Sequence, residues 1–176
     1  GQNVTTTLYG VGIGTEAHRG AGANSLIAIG YGALDATNST DAMGSIGIGH
    51  AALGSMQSGI GNVGIGYAAL GTEDDGDYNT AVGHQALTAQ TGTSGEVGNT
   101  AVGYKAGADV TTATQNTLVG YEAMIGHTAG GQGNVAIGYQ ALSGSEGVNA
   151  DYNTVVGAKA GDSFGNSSIY STVLVG

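Results

Sequence analysis

Four carboxylates fall within five residues at Glu73-Asp74-Asp75-Gly76-Asp77. An oxygen-rich loop bent at a glycine is the raw material of a Ca²⁺ site, because that ion takes six to eight oxygen ligands. The spacing is not that of an EF-hand, and the Gly-Gly-x-Gly-x-Asp nonapeptide of calcium-binding rolls is absent. A solvated acidic loop is therefore the favoured reading of Glu73, Asp74, Asp75 and Asp77, with Ca²⁺ the weaker alternative. No other cofactor is expected.

Aromatic chemistry is the second candidate. Tyr31, His50, Tyr67, His84, Tyr104, Tyr121 and Tyr139 each follow a glycine of one recurring motif. Tyr67, Tyr104, Tyr121 and Tyr139 can form a glycan-contact strip, since aromatic faces pack on sugar rings. Ring-over-ring stacking along a repeat explains the same column structurally and is preferred. His50 and His84 read as substitutes within that row. His18 and His127 lie outside it, and no clustered ligand set makes a metal site of them. There is no cysteine, and no Ser/His/Asp or Cys/His constellation emerges, so the chain is not expected to be an enzyme.

What positions these side chains is a repeat. Its clearest copy is Asn-Thr-Ala-Val-Gly, and ten copies are anchored at Gly14, Gly30, Gly49, Gly66, Gly83, Gly103, Gly120, Gly138, Gly157 and Gly176. The intervals are 16, 19, 17, 17, 20, 17, 18, 19 and 19 residues, summing to 162 over nine, a mean of 18. A short period sustained end to end means a stack of one supersecondary unit, so residues 1–176 read as a single repeat domain. Counted from each anchor, positions −1 and −3 are β-branched in every copy, the residue class favoured in strands. Position −2 is Gly, Ala, Val or Leu in all ten. Parallel strands joined by one coil each predict an all-β, parallel β-solenoid of about ten rungs.

A strand apolar on both faces is covered on both faces. The expectation is that the β-branched columns, including Ile65, Val82, Val102, Val119 and Ile137, fill the coil. The small position −2 then meets a neighbouring chain, which predicts a homo-oligomer. Ala at position +3 in all nine available copies, Ala86, Ala106, Ala123 and Ala141 among them, marks tight packing. Asn at position −4 in six copies is suited to stacked amide ladders. The Thr residues at position −3 suggest an ice-binding array, but sharing a column with Val and Ile predicts burial instead. The sequons at Asn3, Asn38 and Asn166 fall outside the strand motif.

Composition narrows the partners. Gly supplies 36 residues with no Pro, and 13 acidic residues against three basic ones give a net charge of −10. Nucleic-acid binding needs clustered Lys and Arg and is excluded, and anionic membranes would repel the chain. No apolar run approaches the roughly 20 residues of a membrane-spanning helix, so no membrane insertion is expected. The chain opens on Gly1 with no visible signal peptide, the pattern of a processed product or excised fragment.

Asn134-Val135-Ala136-Ile137-Gly138 resembles the head repeats of trimeric autotransporter adhesins, the family of the Yersinia adhesin. Asn79 to Leu87, with its Asn-Thr-Ala-Val-Gly core and Ala-Leu end, looks even more like repeats of bacteriophage tail fibres. That resemblance implies a left-handed β-roll assembled as a side-by-side homotrimer, with Val and Ile columns inside and Ala columns near the trimer axis. It also implies an extracellular structural role, as the shaft or head of a phage tail or virion fibre. An adhesin head binding surface glycans or matrix proteins is the alternative. A self-polymerising filament subunit is a third, because Thr172 to Gly176 end on one motif with an unfinished coil.

Overall fold

The computed structural model describes residues 10–19, 25–37, 42–92, 94–127, 131–144, 150–162 and 169–176. Each motif forms a three-residue strand: Val11–Ile13, Ile27–Ile29, Ile46–Ile48, Val63–Ile65, Thr80–Val82, Thr100–Val102, Thr117–Val119, Val135–Ile137, Thr154–Val156 and Val173–Val175. These ten make one sheet in chain order. All pairings are parallel and like positions stay opposite one another, as in Ile48↔Ile65 and Val82↔Val102. The chain is a parallel β-solenoid with a spacing of about 18 residues.

Coil length varies without disturbing this register, because the extra residues go into the loops. Two short parallel ladders form there, Gly76–Asp77 with Gly95–Glu96 and Ala150–Asp151 with Ile169–Tyr170. Outside the strands the backbone still bonds from coil to coil. The Leu53 amide donates to the Ala69 carbonyl at 3.0 Å, and the Ala51 amide to the Tyr31 carbonyl at 2.9 Å.

The anchor glycine is required by two features at once. Gly30 has φ +130°, and a Cβ there would lie 2.5 Å from the Gly49 carbonyl oxygen of the next coil. Both the conformation and the coil spacing exclude a side chain. Beyond it, position +4 is left-handed even where it is leucine, with φ between 48° and 52° at Leu34, Leu53, Leu70, Leu87 and Leu142. That conformation costs an L-residue about 1–2 kcal/mol. All five side chains are fully or almost fully buried, worth about 1.5–3 kcal/mol each, so burial offsets the strain.

The interior is the reverse of the sequence expectation. Position −2 points into the coil: Ala28, Ala81, Ala101, Leu118, Ala136 and Val155 are completely buried. Positions −1 and −3 point out, and six of the ten strands read half-buried, buried, half-buried. Thus Ile65, Val82 and Val119 are half-buried, and Val102 and Ile137 are 39% and 38% exposed. The reason is the narrowness of the coil. The chain folds back directly after the anchor, so a Cβ at Gly47 would lie 3.0 Å from the Ala52 carbonyl and 3.0 Å from Leu34 Cγ. Such a site suits a hydrogen or a methyl far better than a β-branched side chain. Ala86, Ala106, Ala123 and Ala141 are fully buried and do pack tightly, but they line the coil interior.

Candidate functional site

Two rows of side chains and one acidic cluster are the candidates. The Asn row lies inside. Asn62, Asn79, Asn99, Asn116, Asn134 and Asn153 are buried, and each presents its Oδ1 to the backbone amide of the equivalent residue one coil on. Asn79 N donates to Asn62 Oδ1 at 2.8 Å, and Asn116 N to Asn99 Oδ1 at 2.9 Å. The row continues at both ends, with Asn62 N donating to Ser45 Oγ and Thr172 N to Asn153 Oδ1. The Nδ2 groups hold the loops: Asn62 Nδ2 donates to the Gly76 carbonyl and Asn116 Nδ2 to that of Gly131. This amide ladder, foreseen from the Asn column, satisfies backbone donors that the coil bend would otherwise leave unpaired.

The aromatic row lies outside. Tyr31, His50, Tyr67, His84, Tyr104, Tyr121 and Tyr139 stack in succession at centroid distances of 4.8–5.5 Å and interplanar angles of 17–24°. Each such contact is worth about 0.5–1.5 kcal/mol beyond burial. His50 and His84 fill ring positions in the row, as expected. The stack also limits what it can bind. Tyr67, Tyr104 and Tyr121 have both faces covered by neighbouring rings, so the faces a sugar would need are taken. Tyr31 and Tyr139, at the two ends of the row, each stack on a ring through one face only, whereas both faces of the rings between them are covered.

The acidic cluster is partly assembled. Ligand atoms of Glu73, Asp74 and Asp75 lie within 4.8 Å of one another. Asp77 is used elsewhere: its Oδ1 accepts from the Ile60 amide at 2.8 Å. Glu73 is completely buried in a column that runs Thr37, Met56, Glu73, Gln90 and Val110, all at position +7. Its Oε1 accepts from the amides of Gly76 at 2.8 Å and Asp74 at 3.1 Å, while Asn79 Nδ2 is 3.4 Å from Oε2. Burial raises the Glu73 pKa, and those backbone hydrogen bonds pull partly in the other direction. Burial also raises that of Asp75, aided by a hydrogen bond with Asp74. Three carboxylates fall short of a full Ca²⁺ shell, and Glu73 Oε1 already serves two amides. The cluster's clearest role is to cap the turn at Gly76.

His18 and His127 are buried inside the coil. His18 Nδ1 lies 2.9 Å from Thr37 Oγ1, and burial lowers its pKa. Neither belongs to a group of metal-ligating side chains among the described residues. Asn3, Asn38 and Asn166 lie outside the described residues. No helix of the described residues is long and apolar enough to cross a membrane.

The fold therefore defines a parallel β-solenoid with an internal amide ladder and an external ring stack. No family model, curated protein or solved structure matches the chain.

Proposed function

We propose that the chain is a structural segment of an extracellular trimeric fibre, most in keeping with a phage tail or virion fibre shaft or head. The observation that carries this reading is the unbroken ten-stranded parallel register, with side-chain columns running along the same axis. Ten rungs at about 4.8 Å form a rod segment on the order of 45 Å long. Hydrogen bonds, amides and rings repeat along that axis, which supplies length and stiffness. The role is mechanical, without catalysis or a required cofactor, and the variable loops are presented to the surroundings. Immunogold labelling with antibodies to this chain tests it. Label along virion or cell-surface fibres supports the reading, and label confined to a cell interior overturns it.

The second reading is an adhesin head. It is favoured by the exposed ring edges and hydroxyls of the Tyr row beside variable loops. Glycan arrays and matrix-protein binding test it, and uniform absence of binding removes it.

A further inference from the structure

We infer that the outward face of the ten-stranded sheet is the surface on which another copy of this chain packs. The inference rests on the fibre reading and moves its contact surface from the small position −2 to the β-branched columns. Two outward positions on each of ten strands make twenty side chains, of which sixteen are Val or Ile and four are Thr. None is charged, although the chain carries net −10. Val11, Ile13, Val102 and Ile137 are between 38% and 57% exposed on a single chain. A solvated sheet face alternates to polar residues, whereas this one is an apolar strip running the length of the solenoid.

Charge and periodicity select the occupant. Beyond the anchor, position +2 carries Glu16, Gln85, Lys105, Glu122, Gln140 and Lys159 in six of nine coils, with Gly32, Ala51 and Ala68 in the other three, so most of the adjoining turn face is polar. Two copies of an acidic chain repel wherever their loops meet. Contact through the uncharged strip keeps the charged loops apart. The partner's contact surface must also be straight, uncharged and repeated at the rung spacing over the whole strip. A second copy meets each requirement by construction, and small rotations about the rod axis allow three copies to close. Thr80, Thr100, Thr117 and Thr154 are half-buried and fit such an interface without a buried charge.

Sedimentation equilibrium on the intact chain, with far-UV circular dichroism as the check on folding, tests the inference. The variants are Ile65→Lys/Val119→Lys on the strip and Gln85→Lys on the turn face. We expect the wild type and Gln85→Lys to sediment as multiples of the chain mass. The double variant should fall to one chain, a threefold drop from a trimer, with its dichroism unchanged. A wild-type oligomer that survives the double substitution overturns the assigned surface and leaves the fibre reading standing. A wild-type monomer at every concentration overturns both the surface and the trimer. A monomer that inhibits ice recrystallisation, and loses this with Ile65→Lys/Val119→Lys, overturns the inference by giving the strip to an ice surface.

Discussion

Leu118 occupies the space that a side chain on Gly107 would need. Its Cδ1 lies 2.6 Å from the point where a Cβ on Gly107 would fall, and Leu87 Cδ2 lies 2.9 Å from it. Gly107 is position +4 of one coil and Leu118 is position −2 of the next. In coils nearer the N-terminus the sizes are exchanged: Leu34 faces Gly47, and Leu53 faces Gly64. The interior thus keeps a near-constant volume by trading a leucine between two columns. Gly161 followed by Leu174 repeats the exchange in sequence.

Gly107→Leu alone should destabilise the chain by about 1–3 kcal/mol through overpacking. Leu118→Ala alone should cost about 2–5 kcal/mol by opening a cavity. Gly107→Leu combined with Leu118→Ala recreates the Leu–Ala pairing of Leu87 and Ala101, and should recover most of both losses. A double-mutant cycle from urea unfolding measures the coupling. Additive losses would show that the two positions do not share one volume.

Asn116→Ala removes an acceptor from the Asn134 amide, at 2.9 Å, and a donor to the Gly131 carbonyl, at 3.1 Å. Both groups are buried, so a loss on the order of 2–4 kcal/mol is expected from two unsatisfied polar groups. Asn116→Asp should retain the acceptor and lose the donor. Its loss should be comparable or greater at neutral pH, because it buries a charge. Stability equal to wild type in Asn116→Ala would remove the ladder from the account of rigidity.

Ala101→Glu should prevent folding instead of merely dissociating an assembly. Ala101 is completely buried inside the coil, where an unpaired carboxylate has no partner. Circular dichroism separates the two outcomes. A folded, dissociated Ala101→Glu chain would return position −2 to an intermolecular face.

Glu73 makes stability depend on pH in the less usual direction for a carboxylate. Its pKa is raised in the folded chain, chiefly by burial. From the ordinary carboxyl range up to that raised value, the folded state binds more protons than the unfolded state. Stability from this group is therefore full in acid and is lost as pH rises through the folded pKa. Glu73→Gln should be at least as stable as wild type at neutral pH and should flatten that part of the profile. Thermal melts across pH, comparing the two chains, check the sign.

Calcium should shift those melts little. With Asp77 held by the Ile60 amide, three carboxylates remain, and Glu73 Oε1 is already engaged by two amides. A clear rise in melting temperature with millimolar Ca²⁺, abolished by Asp75→Asn, would reverse this.

Much of the architecture was legible in the residues themselves. The anchor glycines, the strands at the β-branched pairs and the Asn column are set by local geometry and stand where the residues place them, although the β-branched side chains face outward and not into the coil. The ring row was also legible, because side chains at one position of every coil must stack at the rung spacing. Its closed ring faces were not, since they depend on ring orientation. The acidic loop showed its composition, whereas the division of labour between Glu73 and Asp77 required the folded turn. The pairing of Gly107 with Leu118 had a signal that column-by-column reading passes over: the two glycines at position +4, Gly107 and Gly161, each precede a leucine at position −2.

The sequence by itself determined the rung, its period and the two apolar faces of every strand. Only the tertiary structure decided which face is inside. Period-two alternation separates the faces, but with Val, Ile and four Thr on one side and Ala, Gly, Leu and Val155 on the other, hydrophobicity does not rank them. The decision is steric. The chain turns back immediately after the anchor glycine, and the narrow coil it closes takes mostly Gly and Ala at position −2, with Leu118 and Leu174 where position +4 is glycine and Val155 the one β-branched side chain in that column.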